Sequence, residues 1–269
     1  TGHSYKRWRK GLDQQLMKHK KNFSASKQRT ILLLEADFNM NNKVLGADTM
    51  HSRERMGEFT KDNYAKRGLQ AVEVSMNAHL TMNSIWGRRL RAILMSNDAK
   101  GCYDRIAHIV CILAMLRLGS SKPAIDSMIK TIQFMDHFIR TAFGESDNSY
   151  GNEKPIPPQG LLQGNGAGPA GWFSISSVLM KILKSLGYTY KTWSLIKNRV
   201  LELVGFAFVD DTDLIISETD ATVTDQQLIT KAQNTLSTWE GLIRATGGDL
   251  AAEKGHWCFL KVIRKNGKW

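Results

Sequence analysis

The chain has 269 residues, and its 37 Lys and Arg against 25 Asp and Glu give a formal net charge of +12. Because 42% of the residues are hydrophobic and 23% are charged, the composition is that of a globular protein and excludes a disordered, collagen-like or coiled-coil chain. The longest apolar run, residues 106–118, has 13 residues, too few for a membrane-spanning helix. We therefore expect a folded protein with no membrane partner.

The three cysteines are odd in number and lack the spacing of a zinc or redox site. This pattern favours a reducing, intracellular compartment and does not distinguish nucleus from cytoplasm. The chain begins with Thr1 and carries no signal-peptide pattern, so we expect a fragment of a longer protein.

The N-terminal 30 residues carry nine basic side chains and one acid, with Trp8 and Phe23 among them. Basic residues interleaved with aromatic ones suit a phosphate backbone, since binding releases its condensed counterions. A solvated helix face or a loose terminus would give the same composition. Nucleic acid is therefore one candidate partner.

The first half of the chain shows a β-favouring run, then helical periodicity. We predict a strand over 30–34, a helical region over 66–90, and a strand over 90–95 that stops at Ser96-Asn97-Asp98. Two helices should follow, the first over 105–118 capped by Asp104 and the second starting at Ser121. Residues 144–171 are rich in Gly and Pro and should form a loop.

The second half predicts helix, hairpin, helix and strand. A helix should follow Pro169 and end at Gly187, and a strand over 203–209 should turn at Asp210-Asp211 and return over 214–216. A further helix, closed by Gly247-Gly248, and a strand over 257–262 complete the series. This order predicts an α+β fold with a split βαβ (ferredoxin-like) sheet and helices packed on one face.

Such a sheet would bring Asp98, at the end of its first strand, beside Asp210 and Asp211 at the hairpin tip. Three adjacent carboxylates repel each other and would have raised pKa values unless a cation neutralises them. Hard oxygen ligands of this kind favour Mg²⁺, and two such ions about 4 Å apart support in-line phosphoryl transfer. Taken alone, Asp-Asp in a hairpin is more often a simple turn, because Asp tolerates the backbone angles of turns.

Five segments together resemble reverse transcriptases, and four motifs occur in the order that the family has them. They are residues 98–104 (DAKGCYD, first palm motif), 208–211 (FVDD, the aromatic-x-Asp-Asp signature), 163–169 (QGNGAGP), 247–254 (GGDLAAEK) and 63–68 (NYAKRG, fingers motif). The resemblance covers roughly residues 30–260 and is greater to non-LTR retroelement enzymes than to retroviral ones. Three positions depart from the family pattern, since Gly168 replaces a Ser, Ala251 stands in the place of an Asn, and Ala65 replaces a Gly.

The resemblance implies a role for each matching residue. Asp98, Asp210 and Asp211 would be the catalytic residues and the ligands of two Mg²⁺ ions, for which Mn²⁺ is an alternative. The backbone carbonyl of Ala99 would be a further contact, and the ring of Tyr103 would exclude a 2′-hydroxyl and so select deoxynucleotides.

Four more residues would bind substrate. Gln163 and Gly164 match the loop that touches the incoming nucleotide and the template. Arg67 could grip the triphosphate, and Lys254 could stabilise or protonate the leaving pyrophosphate. On the residues alone, both cations are equally well explained as surface charges.

The resemblance also implies the polymerase right-hand architecture. Residues 1–90 would form a basic N-terminal region and fingers, 91–118 palm, 119–160 a fingers insertion and 161–269 the remaining palm, with the thumb largely missing. The implied function is reverse transcription, with an RNA template, a DNA or RNA primer and dNTPs as partners. An RNA-dependent RNA polymerase would share the palm but not Tyr103, and the three departures leave a non-catalytic nucleic-acid-binding remnant open.

Overall fold

A computed structural model describes residues 2–18, 24, 28–151, 159–194 and 198–263. The chain divides into two compact units. Unit 1 comprises Thr1–Glu58 and Tyr103–Ser174, and unit 2 comprises Phe59–Cys102 and Ile175–Trp269.

The described residues form six α-helices, two short 3-10 helices and ten strands. The α-helices are α1 (Ala36–Arg55), α2 (Ala71–Gly87), α3 (His108–Arg117), α4 (Lys122–Gln133), α5 (Gly168–Ser185) and α6 (Asp225–Ala245). The strands are β1 (Lys10–Met17), β2 (Gln28–Leu34), β3 (Arg91–Asp98), β4 (Asp136–Thr141), β5 (Gly144–Glu145), β6 (Tyr190–Ser194), β7 (Arg199–Leu203), β8 (Gly205–Phe208), β9 (Asp211–Glu218) and β10 (His256–Leu260). Among these described residues, none of the helices is long and apolar enough to cross a bilayer.

Unit 1 has a four-stranded sheet in the order β2-β1-β4-β5. The basic N-terminal stretch therefore contains a strand, β1, which pairs antiparallel with β2 and parallel with β4. Helix α1 follows β2 directly, and the Glu35 side chain caps it by accepting hydrogen bonds from the backbone N–H groups of Asp37 and Phe38. Its buried face includes Asn42, Gly46 and Thr49, so the sequence has no apolar periodicity that would predict this helix.

Unit 2 has a four-stranded antiparallel sheet in the order β10-β3-β9-β8. Numbered along the chain, this is the 4-1-3-2 order of a split βαβ sheet, so the predicted fold class is confirmed. Helix α6 lies against β3 and β9, and a capping box between Thr224 and Gln227 begins it. The outer edge of β8 is covered by residues 62–64, which bridge to Ala207.

Apolar side chains alternate across the sheet of unit 2. Ile93, Leu214 and Ile216 are fully buried on one face, and Ala92 and Ile215 are fully buried on the other. The second set forms a core with Ile85, Phe206 and Leu260, the first of which belongs to α2. Each large apolar side chain buried in this way contributes about 1.5–3 kcal/mol, so these contacts fix the register of the strands.

Four local predictions need correction. Strand β3 continues through Asp98, because its polar end pairs with β9 and needs no apolar side chains. Helix α3 begins at His108 after an Ala107 cap, and Asp104 does not cap it. The predicted strand over 203–209 is two strands, β7 and β8, that belong to different sheets. The last strand ends at Leu260 instead of residue 262.

Candidate active site

Two predicted catalytic aspartates face each other across neighbouring strands of unit 2. The register of β3 and β9 pairs Asp98 with Asp211. The flanking backbone hydrogen bond runs from the N–H of Ala99 to the carbonyl of Asp210, at 3.0 Å, so Asp98 and Asp211 form a non-hydrogen-bonded pair. In such a pair the Cα atoms are about 4.5 Å apart and both side chains project from the same face.

Asp210 lies in the two-residue turn of the β8–β9 hairpin. The turn consists of Val209 and Asp210, because Phe208 already pairs with Asp211. The predicted turn, Asp210-Asp211, was therefore wrong by one residue. Val209 has φ +58, a conformation that is strained for a β-branched residue and that suits the first position of a tight hairpin turn. Backbone strain of this kind concentrates at functional sites.

The carboxylates interact electrostatically. Partial burial raises the pKa of the Asp211 carboxyl, and the charges of Asp210, Asp98 and Asp213 raise it further. Asp213 lies two positions from Asp211 along the same face of β9. Its contribution makes it a fourth member of the negative cluster.

Lys254 supplies the opposing charge. Its ammonium group donates a hydrogen bond to the carboxylate Oδ2 of Asp98, which raises the pKa of Lys254. Its segment is held in place by backbone hydrogen bonds, from Ala251 N–H to Asp98 O at 2.9 Å and from Lys100 N–H to Asp249 O at 2.8 Å. The Ala at position 251, a departure from the family pattern, is compatible with this pairing.

These carboxylates suit a divalent cation that also binds substrate and water better than a cation held by protein ligands alone. Within the described ranges, no three His, Cys, Asp or Glu side chains form a ready-made metal site. Mg²⁺, however, is usually held by one or two carboxylates plus substrate phosphates and water. The directly paired carboxylates of Asp98 and Asp211, the second of which has a raised pKa, meet that requirement.

Unit 1 contains the other predicted nucleotide contacts, Tyr103, Gln163 and Gly164. The N–H of Leu161 donates to the carbonyl of Tyr103 at 2.7 Å, so the Gln163 loop (residues 159–167) is tied to the segment that carries the ring. Gly164 has φ +117, and a Cβ there would collide with the carbonyl oxygen of Leu32. Packing against β2 is therefore one physical reason for this glycine.

Two residues that hold this loop were not predicted. Asn39, in the first turn of α1, donates from Nδ2 to Gly164 O at 3.2 Å and accepts at Oδ1 from Gly166 N–H at 2.8 Å. Asp104 accepts from the N–H of Gln163 at 3.2 Å. Burial raises the pKa of the Asp104 carboxyl, although the hydrogen bond from Gln163 opposes this. No sequence signal was available for Asn39, because α1 lacks the apolar stripe that would identify its buried side.

Gly168 and Arg67 are the remaining predicted positions of interest. A Cβ at Gly168 would lie 3.6 Å from Cδ1 of the Tyr103 ring, so the Ser of the family pattern would fit there. Arg67 is exposed in unit 2, on the turn that follows the Asn63–Ala207 bridge. Of the ion pairs among the described residues, none joins Arg67 to the aspartates.

No protein-family model matches this sequence, and no curated protein matches it. Several solved structures match this chain. A telomerase from Candida albicans, in complex with the TWJ fragment of telomeric RNA, aligns with a TM-score of 0.64 and 12% identity over 96% of this chain and 43% of the telomerase chain. An apo telomerase from Candida tropicalis truncated from its C-terminal domain aligns with a TM-score of 0.60 and 14% identity, over 96% of this chain and 52% of that one.

The chain thus spans about half the length of these telomerases or less. At such low identity, the likeness concerns the fold and not the substrates. This chain therefore shares its fold with these telomerases.

Proposed function

We propose that this chain is the fingers and palm core of a reverse transcriptase, which adds deoxynucleotides to a primer 3′-hydroxyl on an RNA template. The observation that carries the proposal is the direct pairing of Asp98 with Asp211, beside Asp210 in the turn. A fold match alone would not identify a reaction, since one fold hosts many functions. The sequence motifs that contain these aspartates support the same reaction.

The reaction joins the primer 3′-oxygen to the α-phosphate of a dNTP and releases pyrophosphate. Asp98, Asp210 and Asp211 would hold two Mg²⁺ ions, or Mn²⁺ in their place, and the bound ions would activate the attacking hydroxyl and neutralise phosphate charge. Lys254 would place a positive charge, and a proton at Nζ, beside the leaving pyrophosphate. Arg67 would bind the triphosphate through its planar guanidinium group.

Three further residues would contact the sugar and the template. Tyr103 would exclude the 2′-hydroxyl of a ribonucleotide, and Gln163 would hydrogen-bond the nucleotide while Gly164 allows the backbone to approach. The RNA template and its growing duplex would be held by basic residues along the phosphate backbone. We also propose that the enzyme belongs to a retroelement of the non-LTR kind, on the strength of its motifs.

Primer extension tests the function. Poly-rA primed with oligo-dT is incubated with dTTP and Mg²⁺, with the wild-type chain compared with Asp210→Asn. We expect incorporation by the wild type and a loss of about 10³-fold in the variant, because the lost charge stabilises the transition state by several kcal/mol. Equal incorporation by both would refute the mechanism.

The two rival functions give different results in the same assay. An RNA-dependent RNA polymerase would incorporate UTP in preference to dTTP. A nucleic-acid-binding remnant would bind the primed template without extending it. Tyr103 argues against the first rival, and the intact pairing of Asp98 with Asp211 argues against the second.

A further inference from the structure

A cavity of about 580 Å³ in unit 2 has a strongly basic lining and lies apart from the aspartates. It is bounded by the loop before residue 62, the second half of α5 and strand β7. Its lining residues are Phe59, Thr60, Lys61, Lys181, Lys184, Arg199, Val200, Leu201, Glu202 and Leu203. Four of these are cations and one is an acid.

The single acid, Glu202, is already compensated within the protein. Its carboxylate Oε1 accepts a hydrogen bond from Thr189 at 2.9 Å and lies 3.4 Å from the ammonium of Lys191. Burial raises the pKa of Glu202, but hydrogen bonds from Thr189 and Lys191 and the charges of Lys191 and Lys184 outweigh it and lower the pKa overall. The lining therefore has a net positive charge at neutral pH.

The lining matches the chemistry of a nucleic-acid strand. Lys61, Lys184 and Arg199 are exposed and provide donors for phosphate oxygens. Phe59 and Val200 add an aromatic and an apolar surface, against which a base can pack. The volume is that of a pocket for a nucleotide-sized group, so it accommodates one strand and not a double helix.

The cavity is close enough to the aspartates to bind the same strand. Leu203 lines the cavity and Val209 begins the hairpin turn, so the backbone between them spans at most about 22 Å. With successive phosphates at least about 3.4 Å apart along a strand, that distance corresponds to at most about six nucleotides.

We propose that this cavity is a second nucleic-acid site, which binds the phosphates of a single strand at most about six nucleotides away from the aspartates. The proposal rests on the proposed function for the identity of the ligand. The polymerase site needs only the template position opposite the incoming nucleotide, so the cavity would increase the affinity for a long template without taking part in the chemistry.

The test compares two triple variants of unit 2. Lys61→Gln/Lys184→Gln/Arg199→Gln removes three positive charges from the cavity. Lys231→Gln/Arg244→Gln/Lys261→Gln removes three from α6 and the segment after β10, outside the cavity. Circular dichroism and melting temperature establish that both variants are folded.

Fluorescence anisotropy with a 20-nucleotide single-stranded RNA measures binding at several salt concentrations. We expect the cavity variant to bind at least about tenfold more weakly, with a salt slope reduced by about 2, since each lost phosphate contact lowers the slope by about 0.7. The control variant should lose markedly less affinity for the RNA. Equal losses in both variants would overturn the proposal, because they would indicate a diffuse charge effect.

Two further binding measurements distinguish a nucleic-acid strand from a free nucleotide as the ligand of the cavity. A single-stranded DNA of equal length should show the same cavity-dependent loss as the RNA. If 1 mM ATP displaces the RNA from the wild type but not from the cavity variant, the cavity is a free-nucleotide site and the proposal is wrong.

The Asp210→Asn variant separates this proposal from the proposed function. It should bind RNA as the wild type does, since Asp210 is not part of the cavity. An inactive wild-type chain with cavity-dependent RNA binding would refute the polymerase and leave the cavity site standing. An active chain whose RNA affinity is unaffected by the cavity substitutions would support the polymerase and refute the cavity site.

Discussion

The aspartate cluster of unit 2 and the Gln163 loop of unit 1 are held in place in different ways. Strand register and backbone hydrogen bonds position Asp98, Asp210 and Asp211. Side chains remote in sequence, Asn39 and Asp104, position the Gln163 loop. The first arrangement follows from a pattern of strands and turns, whereas the second depends on individual polar contacts. The aspartates should therefore tolerate changes around them better than the loop does.

The largest expected effect is the loss of primer extension when one carboxylate of the aspartate cluster is removed. Asp211→Asn should lower primer extension by about 10³-fold, because it removes a charge that faces Asp98 directly. Asp213→Asn is the matched control, since it lies on the same face of the same strand, two residues away. We expect it to change the rate by less than about fivefold in the same primer-extension assay. A comparable loss in both variants would mean that the cluster acts through its total charge and not through the Asp98–Asp211 pair.

The next effect concerns sugar selection in unit 1. Tyr103→Ala should reduce the preference for dTTP over UTP by about 100-fold, because a steric exclusion of this size is worth about 1–3 kcal/mol. The measurement is kcat/KM for each nucleotide on poly-rA primed with oligo-dT. Tyr103→Phe keeps the ring and should keep the preference. Unchanged discrimination in the Ala variant would remove the gate assignment.

A smaller effect tests the clamp on the Gln163 loop. Asn39→Ala removes two hydrogen bonds to the loop and should raise KM for dTTP by about 10–30-fold with a smaller change in kcat, at about 1 kcal/mol per bond. Asn39→Asp retains the acceptor for Gly166 N–H but loses the donor, so its KM should be intermediate.

The control for this clamp is Asn41→Ala, an exposed position on the same helix. It should leave KM and kcat unchanged. If Asn39→Ala lowered only the melting temperature and left KM as in the wild type, Asn39 would be a packing residue without influence on nucleotide binding.

The smallest expected effect is on stability. Asp211→Asn should raise the melting temperature although it lowers the activity. The raised pKa of Asp211 means that the folded chain binds this proton more tightly than the unfolded chain. This carboxyl therefore destabilises the fold as the pH rises from about 4, its ordinary range, through the raised pKa. Asp211→Asn should melt about 1–2 °C higher than the wild type at pH 7 and equally at pH 3.5. A lower melting temperature at pH 7 would contradict the repulsion.

The sequence predicted the sheet of unit 2 well because its strands alternate regularly and its turns carry Asp and Gly. The pairing of Asp98 with Asp211 follows from strand order, which a split βαβ pattern restricts strongly. The turn was misplaced by one residue, since a Val with positive φ is not a recognised turn signal.

Unit 1 was predicted less completely for physical reasons. Helix α1 buries Asn42, Gly46 and Thr49 against its neighbours, so it lacks the apolar stripe that identifies a helix. Asp104 preceded a helical pattern and was interpreted as its cap, but it accepts a hydrogen bond from Gln163, 59 residues further along the chain. Contacts of this kind depend on tertiary structure and leave no periodic signal.

A cross-strand disulfide tests the central geometric claim most directly. In a chain whose Cys102, Cys111 and Cys258 are replaced by Ser, Asp98→Cys is combined with Asp211→Cys, or with Thr212→Cys as the control on the opposite face of β9. A non-hydrogen-bonded pair has the Cα separation that a disulfide requires, so mild oxidation should cross-link the first combination and not the second. Failure of the first pair to cross-link, or equal cross-linking of both, would contradict the register that brings the carboxylates together.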